Sequence, residues 1–419
     1  MRSVGSIKRS GGKEPAFSDS KVEIYIEDAL EASAELRPGS VHTIVTSPPY
    51  FSLRSYLDSS HPSKGREIGT EPTVEEYVSS LVAVFDALAP ALREDGTLWV
   101  VIGDTYAQRE IRHRDGRSEG RSRPRQADAL GETGRKVDLE ANGIKPKDLY
   151  MVPARLAIAL QEAGWYLRND IIWQKINGLP DPATDRFARS HEHILFLSKR
   201  ERYFFDAEAV REPSTPDSVK RAASGHTRGG KLEGRDESRG DRDRLASMRE
   251  ISASGRSRRD VISTTLEPYS GAHFAAFPRE IARIPVLAAT SEKGVCPECG
   301  APWRRVVERG DPGRDWRDTD TPRVMVGGSS QRSEGTAANV GEQARPTRTA
   351  GWEPGCGCAK SSESDHLEPV PAIVLDPFCG SGTTLEVARS HSRRAVGFDI
   401  DERSARHLER RLGSQDVLF

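Results

Sequence analysis

Two stretches near opposite ends of the chain carry residue types whose spacing suits chemistry. In the first, the apolar, β-branched run Val41-His42-Thr43-Ile44-Val45-Thr46 stops abruptly at Ser47-Pro48-Pro49-Tyr50. The run reads as a buried strand, and the two prolines end it because neither can donate to a ladder. Such a strand delivers a hydroxyl, a stiff pair of carbonyls and an aromatic ring to the carboxyl edge of a sheet, where open α/β sheets bind their ligands. That grouping suits an exocyclic amine on a nucleobase, whose lone pair is delocalised into the ring. Two acceptors, the Oγ of Ser47 and the carbonyl of Pro48, would hold the two N–H groups and turn the lone pair out of the base plane. Tyr50 would stack on the base for about 1–3 kcal/mol, after the base has left its duplex at a cost of a few kcal/mol. On these residues alone, a strand followed by a Pro-Pro turn with Tyr50 as an amphipathic lid is an equal reading.

The second stretch begins with a short apolar strand, Ala372-Ile373-Val374-Leu375-Asp376, followed by Pro377-Phe378-Cys379-Gly380-Ser381-Gly382-Thr383-Thr384 and a helical pattern over 385–390. Glycines in such a turn let the backbone approach a ligand, and a helix start offers unpaired N–H groups. A further strand, Arg394-Ala395-Val396-Gly397-Phe398-Asp399, ends in an acid placed to accept from ribose hydroxyls. The loop lacks the Lys-Ser/Thr of a phosphate loop and the dinucleotide Gly-x-Gly-x-x-Gly pattern. Its ligand therefore has a ribose and needs no phosphate. An ordinary glycine turn between strand and helix is the plainer alternative.

The elements that must position these stretches alternate. Lys21–Ile26 reads as a strand, 29–36 as a helix, 74–92 as an amphipathic helix through Tyr77, Leu81, Val84 and Leu88, and 96–104 as a buried strand. The alternation predicts a parallel α/β sheet. Helix 152–163, strands 165–175 and 191–199, and a helix through Ile281, Ile284 and Leu287 continue it. His191 and His193 read as packed or surface residues. Residues 107–145 and 213–260 are rich in Arg, Gly, Ser and Asp and poor in apolar residues, and read as mobile insertions whose arginines can follow phosphates.

The chain has 419 residues, 30% of them charged, a formal net charge of −1 and a mean hydropathy of −0.61. No apolar run reaches the ~18 residues of a membrane span, and residues 1–18 have no apolar core of a secretory signal. The expectation is a cytoplasmic protein. Five cysteines are too few for a disulfide scaffold of this size. Cys296-Pro297-Glu298-Cys299-Gly300 has the spacing of a zinc knuckle, and Cys356-Gly357-Cys358 offers two further thiolates. These four residues are the expected ligands of a structural zinc, with His366 a substitute ligand or a surface histidine.

Taken together, the two stretches resemble the amino-methyltransferases of DNA, which use S-adenosylmethionine to methylate N4 of cytosine or N6 of adenine. Thr46-Ser47-Pro48-Pro49-Tyr50 looks like that family's catalytic motif, and Asp376 to Thr384 looks like its cofactor loop. The catalytic motif comes first and the cofactor loop last, an order similar to the β group of the family. The resemblance covers roughly 21–104, 145–206, 260–290 and 371–412. It implies a Rossmann-like sheet in permuted motif order, with a small zinc-binding insertion. By carry-over, catalysis falls to Ser47, Pro48, Pro49 and Tyr50. Cofactor binding falls to Asp376, Pro377, Phe378, Gly380, Ser381, Gly382, Thr383 and Asp399, with Asp28 near the adenine and Phe277 and Pro278 in the segment 273–278 beside the cofactor. Cys379 stands where the family varies and reads as a small loop residue.

The implied organisation is a catalytic half over 19–106, an insertion over 107–145, a continuation over 146–212 and a target-reading segment over 213–260. A cofactor-side helix at 261–293, the zinc insertion at 294–360 and the cofactor half at 361–419 complete it. The expected partner is double-stranded DNA, beside a cognate restriction endonuclease if one exists, with the chain a monomer or homodimer. In this family an acid at the first catalytic position goes mostly with adenine and serine mostly with cytosine, so Ser47 points to cytosine N4. Adenine N6, an RNA or protein methyltransferase, and a silent DNA-binding protein on the same scaffold are the alternatives.

Overall fold

In the computed structural model, the described residues are 7, 13–53, 55–107, 139–178, 180–181, 183–215, 217, 226–227, 230–231, 255–267, 277–309, 347–358 and 368–413. Most of the two expected mobile insertions, the residues 273–276 and His366 lie outside them. The elements in chain order are β1 (Phe17–Ser18), β2 (Val22–Ile26), α1 (Ala29–Ser33), β3 (Val41–Thr46), α2 (Val74–Leu88), β4 (Leu92–Ile102), α3 (Val152–Glu162), β5 (Tyr166–Lys175) and β6 (His191–Ser198). They continue with β7 (His226–Thr227), β8 (Gly230–Lys231), β9 (Val261–Thr264), α4 (Arg279–Ala289), β10 (Arg304–Arg309) and β11 (Thr347–Glu353), and end with β12 (Ile373–Asp376), α5 (Thr383–Ser390), β13 (Arg394–Asp399) and α6 (Arg403–Gly413).

Nine strands form one sheet in the order β1-β2-β13-β12-β3-β4-β6-β5-β9. The run from β2 to β4 is parallel. The expectation of a wholly parallel sheet is corrected at β6, which runs antiparallel to both β4 and β5. A parallel return needs a crossover, usually a helix; among the described residues the connection between β5 and β6 contains none. As a result, β6 begins at the edge where β3 and β4 end.

The key adjacency is β12 beside β3, with Val374 opposite Thr43 and Leu375 opposite Ile44. It brings the two informative stretches from opposite ends of the chain to one sheet edge. Every residue of β3 and β12 is buried, as central strands covered on both faces must be. On one face α1, α2 and α3 bring Ala29, Tyr77, Leu81, Phe85 and Leu156 into a core with Ile44, Leu98, Val100 and Leu375. On the other, α4 packs against α5 and over β3 and β4. Pro278 caps α4, so the proline starts this helix instead of interrupting it.

The chain divides into two compact units. The sheet and its helices belong to the unit made of residues 1–206, 259–303 and 354–419. The second unit, 207–258 with 304–353, contains the antiparallel pairs β7–β8 and β10–β11. Within it Arg305 stacks on Trp352 at 4.3 Å, and Arg256 pairs with Glu212 at 2.8 Å. The stretch 294–360, expected as one insertion, is split: its two cysteine turns group with the sheet, and the intervening ribbon with the second unit.

Candidate active site

A cavity of about 330 Å³ opens at the carboxyl ends of β3, β12 and β13. Ser47, Pro48, Pro49 and Tyr50 line it, as do Pro377, Phe378, Cys379, Gly380, Ser381, Thr383 and Asp399. Asp28 and Phe277 also line it, together with Glu27, Trp173, Lys175 and Glu192. Asp376, Gly382 and Pro278 do not line it.

Asp376 lies beneath the loop as a strut, its Oδ1 accepting from Thr46 Oγ1 at 2.6 Å and from the Phe378 N–H at 3.1 Å. It ties the end of β3 to the end of β12 and shapes the turn above. Burial pushes its carboxyl up to about 6. Gly382 caps α5 with φ of 77°; a Cβ there would stand 2.3 Å from Leu408 Cδ1, so close helix packing requires the glycine.

Asp399 faces the cavity. Its Oδ2 accepts from the Gly380 N–H at 2.7 Å and its Oδ1 from the Asp401 N–H at 2.9 Å. A carboxylate oxygen has a second lone pair, so both oxygens still have an acceptor site for a ligand hydroxyl. Burial raises this carboxyl to about 6 as well. The Oδ1 of Asp28 accepts from the Leu30 and Glu31 N–H groups at the start of α1 and presents a helix N-terminus to the same space. Arg411 on α6 straps the glycine loop from behind, donating to Ser381 Oγ at 3.1 Å and to Thr383 Oγ1 at 3.0 Å. It also bonds the buried Glu386 of α5. Cys379 is buried and its thiol is held protonated by that burial.

In the Ser-Pro-Pro-Tyr turn the carbonyl of Pro49 accepts from the Tyr77 hydroxyl at 2.7 Å. The Tyr50 ring edge rests on Gly103, where a Cβ would stand 2.7 Å from Tyr50 Cε2. The Tyr50 hydroxyl donates to Glu192 Oε2 at 2.6 Å and lies within hydrogen-bonding reach of Ser47. Burial holds this phenol far above its ordinary range, so it is a neutral donor. The other oxygen of Glu192 receives the Lys175 ammonium, which lies 4.8 Å over the Trp173 ring. Lys175 and Glu192 are site residues that sequence reasoning missed. The available signal was their position: Lys175 ends β5 and Glu192 is the second residue of β6, both at this edge.

At the opposite, amino-terminal ends of the strands sits the cysteine cluster. The thiols of Cys296, Cys299, Cys356 and Cys358 lie within 4.8 Å of one another and form no disulfide. Thiolates around a tetrahedral zinc stand ~3.8 Å apart, so the donor set fits that ion. The turn closes through the Gly300 N–H donating to the Cys296 carbonyl at 2.8 Å. Two side chains bind it to the sheet: Arg93 donates to the Cys299 carbonyl at 2.7 Å, and His42 Nε2 meets the Gly300 carbonyl at 3.0 Å. His42 Nδ1 accepts from the Ile373 N–H at 3.0 Å, so Nε2 must carry the proton. Burial lowers this imidazole to about 4 and keeps it neutral.

A mixed α/β sheet thus brings the acid at the end of β13, the glycine loop after β12 and the Ser-Pro-Pro-Tyr turn after β3 to one cavity. The family described as DNA methylase, of N6 and N4 specificity, matches residues 41–296 and 366–410. The chain belongs to that family, as the two motifs implied. It is 36% identical over 274 residues to the type II methyltransferase M.SmaI of Serratia marcescens, covering 65% of this chain and 76% of that one. It is 38% identical to M.Cfr9I of Citrobacter freundii over 64% of this chain and 72% of the relative. With M.SfiI of Streptomyces fimbriatus it shares 30% over 90% and 88%. Among solved structures it is similar to the PvuII DNA methyltransferase (cytosine-N4-specific), at a TM-score of 0.48 and 15% identity, covering 94% of this chain and 89% of that one.

Proposed function

We propose that the chain transfers a methyl group from S-adenosylmethionine to N4 of cytosine in double-stranded DNA, as the modification enzyme of a type II restriction-modification system with a cognate endonuclease. The observation that carries this is that Ser47, Pro48, Pro49 and Tyr50 line one cavity together with Pro377, Phe378, Cys379, Gly380, Ser381, Thr383 and Asp399. The relatives' names as type II methyltransferases support the biological setting.

When bound, the cofactor supplies an electrophilic methyl group. The chain's own residues do the rest. Asp399 accepts from the ribose hydroxyls, Phe378 and Gly380 shape the methionine end, and Asp28 with the start of α1 faces the adenine. The Pro48 carbonyl is the backbone acceptor for the amine, and the Tyr77 hydroxyl, donating to the next carbonyl at Pro49, steadies the turn. Ser47 Oγ is the second acceptor. Tyr50, braced on Gly103 and fastened to Glu192, presents its ring to the flipped base. No strong base is needed, because the amine nitrogen becomes acidic once methylated and releases its proton to water.

Ser47 favours cytosine because a neutral hydroxyl accepts one N–H bond and places no carboxylate beside the reacting nitrogen, where an acid would add charge and a second acceptor. The four cysteines hold a structural zinc that closes the knuckle. Nucleoside mass spectrometry on DNA treated with purified protein and S-adenosylmethionine tests the base assignment. N4-methylcytosine is the expected product; N6-methyladenine would leave the family intact and overturn the reading of Ser47.

A further inference from the structure

Phe187 stands out among the large apolar side chains because it is 97% exposed. Water-exposed phenylalanine contributes nothing to this fold, yet the backbone around it is firmly tied. Asp181 accepts the Ala183 N–H at 3.0 Å and takes both terminal nitrogens of Arg186, the shorter contact at 2.6 Å. Arg186 in turn donates to the Phe187 carbonyl at 3.1 Å and stacks over Tyr106 at 4.1 Å. Arg189 bonds the carbonyl of Asp104, and the Ser190 carbonyl accepts the Lys175 N–H at 2.7 Å. The loop therefore holds an aromatic ring out in solvent from a braced base.

Its place is equally specific. Phe187 precedes His191, the first residue of β6, by four positions, and β6 begins at the sheet edge that carries the catalytic wall. Glu192, the next residue of that strand, bonds Tyr50. A second, polar hollow of about 240 Å³ beside the loop is lined by Tyr106, Arg186 and Arg189, and shares Lys175 and Glu192 with the catalytic cavity. Arg186 and Arg189, on either side of the ring in sequence, line that hollow together with Asp104 and Asp181.

We propose that Phe187 is a wedge that enters the DNA stack beside the target base and occupies the gap left when that base is flipped into the cavity. The inference rests on the DNA-methylase reading. Apolar side chains inserted between base steps are a general means of offsetting lost stacking, and a ring already fixed in its presenting conformation loses little freedom on insertion. Arg186 and Arg189 hold the ring in place through their bonds to Asp181 and to the Asp104 carbonyl.

The test uses the full chain and a duplex carrying its own modified site, identified by sequencing the DNA of an expressing host. One duplex has the target paired normally; in a second it lies opposite an abasic position, where extrusion is easier. Phe187→Ala should reduce kcat/KM on the paired duplex by about tenfold or more, and on the second by less than about threefold, because that substrate has already met the cost of unpairing. Phe187→Trp should restore the paired activity. With 2-aminopurine at the target position, Phe187→Ala should also diminish the fluorescence rise that accompanies extrusion. An exposed substitution leaves the melting temperature unchanged, so folding is checked separately. Equal losses on both duplexes, or no loss on the paired one, would overturn the wedge. Failure of the wild-type protein to methylate any DNA would instead remove the reading beneath it, and the wild-type control reveals that first.

Discussion

The two ends of strands β3 and β12 solve the same mechanical problem with different chemistry. At their amino ends, His42 of β3 accepts the Ile373 N–H of β12; at their carboxyl ends, Thr46 of β3 donates to Asp376 of β12. Each clamp then reaches one element further. His42 continues to the cysteine knuckle through Gly300, and Asp376 to the cofactor loop through Phe378. Burial drives the imidazole down to about 4 and the carboxyl up to about 6. The neutral clamp is indifferent to pH over the physiological range and suits a permanent joint. The acidic one, with Asp399 beside it at about 6, lies where ionisation and ligand binding interact. Buried polar residues thus join the same two strands at both ends, and the difference lies in what the next element offers.

The largest break in this comparison should come from the catalytic wall. Ser47→Ala combined with Tyr50→Ala removes one hydrogen bond to the amine and a stacking partner, together about 3–5 kcal/mol, so methyl transfer should fall by ~10³-fold. Circular dichroism should show the fold retained, with the melting temperature lowered because Tyr50 packs against the core. Retained transfer would take these two residues out of the site.

The knuckle end should respond in stability and leave binding alone. Elemental analysis should find one zinc per chain. Cys296→Ser with Cys299→Ser should abolish it and lower the melting temperature by several degrees, structural zinc contributing on the order of 10 kcal/mol in small domains. Calorimetric titration of S-adenosylmethionine should change by less than about threefold. A metal-free wild-type protein with four reactive thiols would end the zinc assignment.

Asp399→Ala should weaken S-adenosylmethionine binding by about tenfold or more, since charge-assisted hydrogen bonds contribute about 1.5–3 kcal/mol each. The same group sets a pH dependence whose two parts run in opposite directions. The folded carboxyl lies at about 6, above its ordinary 3.8, so between roughly pH 4 and 6 the folded state binds more protons than the unfolded one. Stability of the ligand-free protein should therefore decrease as pH rises through that window, by about 3 kcal/mol at most for this group. Cofactor affinity should do the reverse, weakening by up to about tenfold per unit as pH falls below 6 because the acceptor is lost. An affinity independent of pH between 5 and 8 would exclude Asp399 as an ionised ligand.

The smallest effect should come from His42→Ala, which leaves the Ile373 N–H and the Gly300 carbonyl without their side-chain partner. A loss of about 1–3 kcal/mol in unfolding free energy is expected, with methyl transfer at a given enzyme concentration within about twofold. If methylation fell in parallel with that of the Asp399 variant, the two ends of the strands would be coupled and the contrast between them lost.

The sequence alone determined the parts whose chemistry is local. Ser47-Pro48-Pro49-Tyr50 and the loop from Asp376 to Thr384 are contiguous, so their residue types and spacing survive without knowledge of the fold. Apolar periodicity located helices α2, α3 and α4, because period is a property of neighbouring residues. The paired cysteine turns were legible for the same reason. Only the tertiary structure decided which distant groups meet. Nothing in the order of the chain says that β12 lies beside β3, that Arg411 straps the glycine loop, or that Glu192 fastens Tyr50. Nor does periodicity separate Asp399, which lines the cavity, from Asp376, which supports it from below. Both are acids at the end of an apolar strand, and burial, helped by a neighbouring carboxylate in each case, raises both to about 6. What distinguishes them is the hydroxyl of Thr46, brought to one and not the other by strand pairing. Long-range pairing is set by the global burial of apolar faces, and no local signal encodes it.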